Sequence, residues 1–216
     1  MTPSEHYRSQ RERVTALVQD LDEEQLATRV PGCPEWTVRE LLSHLTGLAR
    51  DVAEERMDDA GQPHWTARQV ADRQDRSVEE LLAEWSDYGP QVEAMLDGMG
   101  FAGYRTFYDA TMHEDDLREA LGLPLAEGPT QTEVLGGLVM LAGGRLTGLP
   151  PLEVRAGEQS WTFCDSPSVA VLTAPDAGEL GRVLGGRRSA EQLRALDWAG
   201  DPEPYLDALT QFRPGV

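Results

Sequence analysis

The stretch TVRELLSHLTGL, residues 37–48, combines a helix start, a buried stripe and one anomalous imidazole. Thr37 followed three residues later by Glu40 is a capping box, which satisfies backbone donors at a helix N-terminus. Val38, Leu41, Leu45, Leu48 and Val52 then recur at helical spacing and predict one inward face. His44 falls on that same face, three residues after Leu41 and four before Leu48.

A second stretch repeats the anomaly. In DATMHEDDLREALG, residues 109–122, His113 lies four residues after Asp109 and four before Leu117. A carboxylate and an imidazole four apart sit one turn from each other and can bind a single ion. With His44 from a neighbouring helix, the set becomes two histidines and one acid. Three ligands with coordination positions left open is the arrangement of catalytic zinc and of non-haem iron. The competing readings, a hydrogen-bonded core histidine and a solvated Asp–His pair, are commoner on spacing alone.

Helical patterns fill the first half of the chain. Tyr7, Val14, Leu17, Val18 and Leu21 predict a first helix, and RVPGCPEW (residues 29–36) a loop before the second. MDDAGQPHW (57–65) reads as a long loop with at most a short helical turn. Ser77 and Glu80 cap a third helix carrying Leu81, Trp85, Tyr88, Val92 and Leu96 inward. A fourth runs from about Tyr104 to Leu121, where Gly122 and Pro124 stop it, and Thr130 with Glu133 caps another through Arg145.

After GLPP (148–151) the pattern changes. LEVRA, SWTFCD and SVAVLTA read as strands, DAGELGRVLGGRRS and SAEQLRALDW as helices, and DPEPYLDALTQF as a last helix. The expectation is a helical bundle over residues 1–148 and a small α+β module over 149–216, mainly α overall.

Composition narrows the function. The formal charge is −19, from 38 acids against 19 bases, so nucleic acid and anionic membranes are poor partners. Every base is arginine; without lysine, Schiff-base and Walker-type mechanisms are excluded. Two cysteines without metal-finger spacing, no apolar leader and no membrane-length run predict a cytoplasmic protein with no disulfide framework. The glycines of LAGGRLTG and LGGRRS follow no strand in a phosphate-binding pattern.

VPGCPEWTVRELLSHLTG (30–47), followed by RTFYDATMHEDDLREALG (105–122), resembles the mycothiol-dependent maleylpyruvate isomerase family, one of the DinB-like four-helix metalloenzymes. LGGRRSAEQLRALDWAGDPEPYLDAL (184–209) is similar to the small C-terminal, SCP2-like module that accompanies that bundle. The resemblance implies a DinB-like bundle binding one divalent metal, zinc being expected, through His44, Asp109 and His113. The family acid is usually glutamate, so the shorter Asp109 is the weakest assignment, with Glu114 and Asp116 as runners-up. Asp116, close to His113 on the helix, is also placed to orient its second ring nitrogen.

A metal with an open position binds a thiol and deprotonates it near neutral pH, giving a nucleophile for an unsaturated or electrophilic carbon. The resemblance implies mycothiol as that thiol and a small acidic or electrophilic cosubstrate, in an isomerase or S-transferase acting as monomer or homodimer. A metal-dependent hydrolase and a non-enzymatic metal- or small-molecule-binding regulatory module are the alternatives. Arg187, Arg188 and Arg105 are candidate clamps for a substrate carboxylate, surface ion pairs being the plainer role. Trp36 is the candidate cofactor-binding aromatic. Trp65 and Trp85 are further pocket candidates, Cys33 reads as a small buried residue, and His6 and His64 as exposed.

Overall fold

The computed structural model describes residues 2–98, 100–126, 129–164 and 166–210, with the side chains of 101–105 and 129–133 outside that description. The chain divides into two compact units, Met1–Pro124 and Leu125–Pro214.

The N-terminal unit is helical. Helices α1 (Pro3–Val18), α3 (Val38–Ala53), α5 (Val78–Leu96) and α6 (Phe101–Ala120) form its bundle. There α1 packs on α5 and α6, and α3 packs on α5 and α6. Capping boxes open α1, α3 and α5 at Thr2, Thr37 and Ser77. Just beyond α6, Gly122 takes φ 67°, a left-handed conformation that ends a helix at little cost for glycine. The core joins Val14, Leu41, Leu45, Leu81, Trp85, Val92 and Leu117, all essentially without exposure. Between the main helices lies a short helix α2 (Glu23–Leu26).

Two segments differ from their sequence reading. RVPGCPEW is a β-hairpin rather than a plain loop: β1 (Arg29–Val30) pairs antiparallel with β2 (Cys33–Thr37), and that ladder runs directly into the α3 cap. MDDAGQPHW leads into a true helix, α4 (Pro63–Ala71), packed on α3. Pro63 at its first position pre-sets the backbone. Its buried residues are only Trp65 and Gln69, too few to make an apolar period.

In the C-terminal unit, α7 (Pro129–Arg145) precedes β3 (Leu152–Ala156), β4 (Gln159–Thr162), β5 (Ala170–Ala174), α8 (Ala177–Leu184), α9 (Ala190–Arg194), β6 (Asp197–Ala199) and α10 (Leu206–Thr210). The sheet order is β4-β3-β5-β6, with β3 and β5 parallel and both edge pairings antiparallel. Leu152, Val154, Ala170 and Leu172 are buried while Arg155 is exposed, the alternation of a sheet covered on one face. Helix α8 covers that face and α7 packs on α8. Thus α7 belongs to the C-terminal unit, whereas the sequence reading placed the boundary after it, at 148. The tail of SAEQLRALDW forms strand β6 instead of continuing a helix. Among the described residues no helix is long and apolar enough to cross a membrane.

Candidate metal centre

His44 and His113 meet inside the N-terminal unit. Helix α3 carries the first and α6 the second, each 2% exposed, with ring centroids 5.0 Å apart and planes at 79°. Asp109, one turn before His113, turns a partly exposed carboxylate between them. Its Oδ2 lies 3.4 Å from His44 Nε2 and its Oδ1 lies 3.6 Å from His113 Nε2. The three ligand atoms fall within 4.8 Å of one another. Donors about 2.0–2.1 Å from a tetrahedral zinc stand roughly 3.3 Å apart, and each imidazole lies near that distance from one of the two Asp109 oxygens.

The outer ring nitrogens decide what faces inward. His44 Nδ1 is 2.7 Å from Gln69 Oε1, and Gln69 Nε2 donates to Asp51 Oδ2 at 2.7 Å. A carboxylate only accepts, so the amide is oriented with its oxygen toward His44, and His44 Nδ1 must donate. The same logic applies to His113, whose Nδ1 donates to Asp116 Oδ2 at 2.8 Å. In the neutral rings both Nε2 atoms therefore carry lone pairs, and both point at a carboxylate. Three acceptors converging without a cation would repel, so the donor set fits a divalent metal. Burial pushes His113 below the ordinary imidazole value, with nearby His44 acting in the same sense, while the Asp109 and Asp116 charges pull it upward.

A second triple, Cys33, His113 and Asp116, also lies close together. Its 2.8 Å contact between His113 and Asp116 is a hydrogen bond, shorter than the roughly 3.3 Å between donors of a tetrahedral zinc. Cys33 Sγ, fully buried on β2, donates to the same Asp116 oxygen at 3.5 Å. Asp116 thus supports the His113 ring from behind. Glu114 is turned elsewhere: wholly buried, it accepts from Arg13 at 2.7 Å and from Arg118 at 3.0 Å.

A family model described as the mycothiol maleylpyruvate isomerase N-terminal domain matches residues 7–118, more than half of the chain, and spans all three converging side chains. The chain belongs to that family. A solved structure of a histidine-to-alanine mutant of the mycothiol-dependent maleylpyruvate isomerase shares the fold across both units' sequence: 94% of each chain is covered, with TM-score 0.62 and 12% identity. No curated protein matches. Asp109, although a short acid, comes within 3.6 Å of both histidines.

The other sequence candidates are distributed as follows. Trp36, on β2, packs against His44 with centroids 4.9 Å apart and planes tilted by 35°, and lies 6.0 Å from His113. It also lines a cavity of about 530 Å³ together with Thr37, Ser43, Val70 and Gln74. Trp85 and Trp65 are core residues; Trp85 Nε1 donates to Tyr7 Oη at 2.9 Å and Trp65 Nε1 to the Arg56 carbonyl at 3.3 Å. Arg187 and Arg188 belong to the C-terminal unit and are buried, Arg188 forking onto Glu179 through two 2.7 Å bonds. The side chain of Arg105 lies outside the described residues. His64 is exposed, but His6 is not: at 1% exposure it stacks on Phe107 with centroids 4.9 Å apart. The inner face of α1 extends to His6 because Gln10, one turn on, is buried as well.

Gln69, Asp51 and the supporting role of Cys33 escape the sequence reading. A buried glutamine on a polar helix has no periodic signature. Asp51 does carry one signal, its place seven residues after His44 on the same face of α3.

Proposed function

We propose that this chain is a metal-dependent enzyme that uses mycothiol in an isomerase or S-transferase reaction, with His44, Asp109 and His113 holding one divalent ion, zinc being expected. The observation that carries this reading is the convergence of two imidazole lone pairs and a carboxylate, each ring held from behind by an acceptor. The family and the shared fold support the thiol. When bound, such an ion supplies the positive charge that lets a thiol ionise near neutral pH.

The chain's own residues do the remaining work. Gln69 and Asp116 hold the rings so that Nε2 faces inward, and Trp36 packs against one side of His44. The half-exposed Asp109 marks the solvent-facing side of the cluster, the side from which a thiol and an unsaturated acid can enter.

The test is metal analysis of the purified protein, followed by thermal melts with and without mycothiol. Bound zinc together with a rise in melting temperature on adding the thiol supports the proposal. Zinc without any thiol effect would point to metal-activated water and a hydrolase. Neither effect would leave a binding module and overturn the enzymatic reading.

A further inference from the structure

We propose that Gln69 is a positioning residue that fixes the tautomer of His44, and that the face of α3 is cut to receive it. The proposal rests on the metal reading above and adds what prepares one of its ligands. His44, Gly47 and Asp51 lie three and four residues apart along a single stripe of α3. Gln69, 1% exposed, reaches over that stripe from α4. Its carbonyl end meets His44 at 2.7 Å and its amide end meets Asp51 at 2.7 Å. Beneath its middle lies Gly47. A Cβ there would stand 2.6 Å from Gln69 Cβ and 2.8 Å from Cγ, closer than atoms can approach. Glycine is therefore required for the glutamine to lie where it does, despite its cost inside a helix.

Asp51 is held in turn. It is 2% exposed, and Arg56 and Arg68 donate to it at 2.9 and 3.1 Å. Just after α3, Glu55 takes φ 57° and the Arg56 N–H bonds back to the Asp51 carbonyl at 2.7 Å, which turns Arg56 toward the same residue. The order is thus two arginines, a carboxylate, an amide and an imidazole. Each member has one orientation available, because the carboxylate cannot donate and the amide oxygen cannot either. An apolar side chain could dock α4 equally well. A buried amide satisfied at both ends does more: in the neutral ring it places the proton on Nδ1 and the lone pair on Nε2 before any ion arrives.

The experiment uses the full chain in two forms. In metal-free protein, long-range ¹H–¹⁵N correlation spectra of the histidine rings should show His44 as the Nδ1–H tautomer, assigned by its loss in His44→Ala. Gln69→Leu keeps the bulk and removes the acceptor. It should move His44 toward the Nε2–H form and weaken zinc binding roughly ten- to a hundredfold. The exchanged pair D51N/Q69E puts an acceptor back against His44 and a donor behind it. It should restore the Nδ1–H form and bring zinc affinity to within a few-fold of wild type, a rescue that mere docking of α4 does not explain. An Nε2–H tautomer in the wild type, unchanged zinc affinity in Gln69→Leu, or no rescue in the exchanged pair would each overturn the proposal. If Gln69→Leu does not fold, the wild-type spectrum and the exchanged pair still decide. Wild-type protein that shows the Nδ1–H form yet takes no zinc sustains the relay and overturns the metal reading instead.

Discussion

Deleting either histidine should remove metal equally but should not destabilise the protein equally. His44 and His113 are buried to the same extent, so the packing lost on truncation to alanine largely cancels between them. Their outer partners differ. Behind His44 stands the neutral amide of Gln69, and a neutral hydrogen bond contributes about 1 kcal/mol. Behind His113 stands the carboxylate of Asp116, with no solvent exposure, and a bond to an ionised group contributes about 1.5–3 kcal/mol. In His113→Ala that carboxylate loses its ring partner. The expected gap in metal-free stability is therefore about 0.5–2 kcal/mol, His113→Ala being the less stable variant. Urea unfolding in excess chelator measures it, and a competitive zinc titration on the same preparations measures the ligand loss. Equal or reversed stabilities would refute the assignment of Asp116 as the charged support, and wild-type zinc affinity in either variant would refute the site.

Asp109→Asn should weaken zinc binding less than loss of either histidine, because its carboxylate is part-exposed and faces both rings at 3.4–3.6 Å; affinity equal to wild type would remove it from the ligand set. Glu114→Gln should leave zinc affinity untouched while costing about 2–3 kcal/mol of stability in chemical unfolding, less than a fully buried pair because Arg13 and Arg118 reach solvent. A change in zinc affinity there would reopen Glu114 as a ligand. Burial raises the Tyr7 phenol from 10.0 to about 12, even though Trp85 donates to it. The folded value exceeds the unfolded one, so this contribution is intact below about pH 10 and is lost as pH climbs toward 12, at up to about 1.4 kcal/mol per pH unit. Melts across that window should fall more steeply for wild type than for Tyr7→Phe, and parallel curves would count against the buried phenol.

What the sequence discloses here is what repeats. The capping box at Thr37 and Glu40 and the leucine stripe behind it are periodic, and the helix begins and buries itself where they indicate. The stop at Gly122 is local chemistry and is equally legible. The three strands β3, β4 and β5 announce themselves by alternation. The boundary between units does not. The apolar face of α7, with Val134, Leu135, Leu138 and Ala142 buried, looks like any other bundle helix, and nothing in its spacing says that α8 is the neighbour it covers.

The site was half visible for a related physical reason. His44 and His113 are conspicuous because imidazoles interrupt leucine stripes, and Asp109 because it stands one turn from His113. The groups that prepare them have no such contrast. Gln69 sits on a helix with two buried residues, Asp51 hides among the charges of DVAEER, and Cys33 lies in a proline- and glycine-rich hairpin. Yet the tautomers depend on these residues, since a ring nitrogen's proton follows the acceptor it finds. The glycine at position 47 permits the approach that brings Gln69 to His44: a residue unfavourable to a helix by about 1 kcal/mol stands where a Cβ would collide with the Cβ and Cγ of Gln69. A ligand set read from spacing alone is therefore incomplete, because spacing places the histidines and the buried acceptors behind them determine which nitrogen is left to bind.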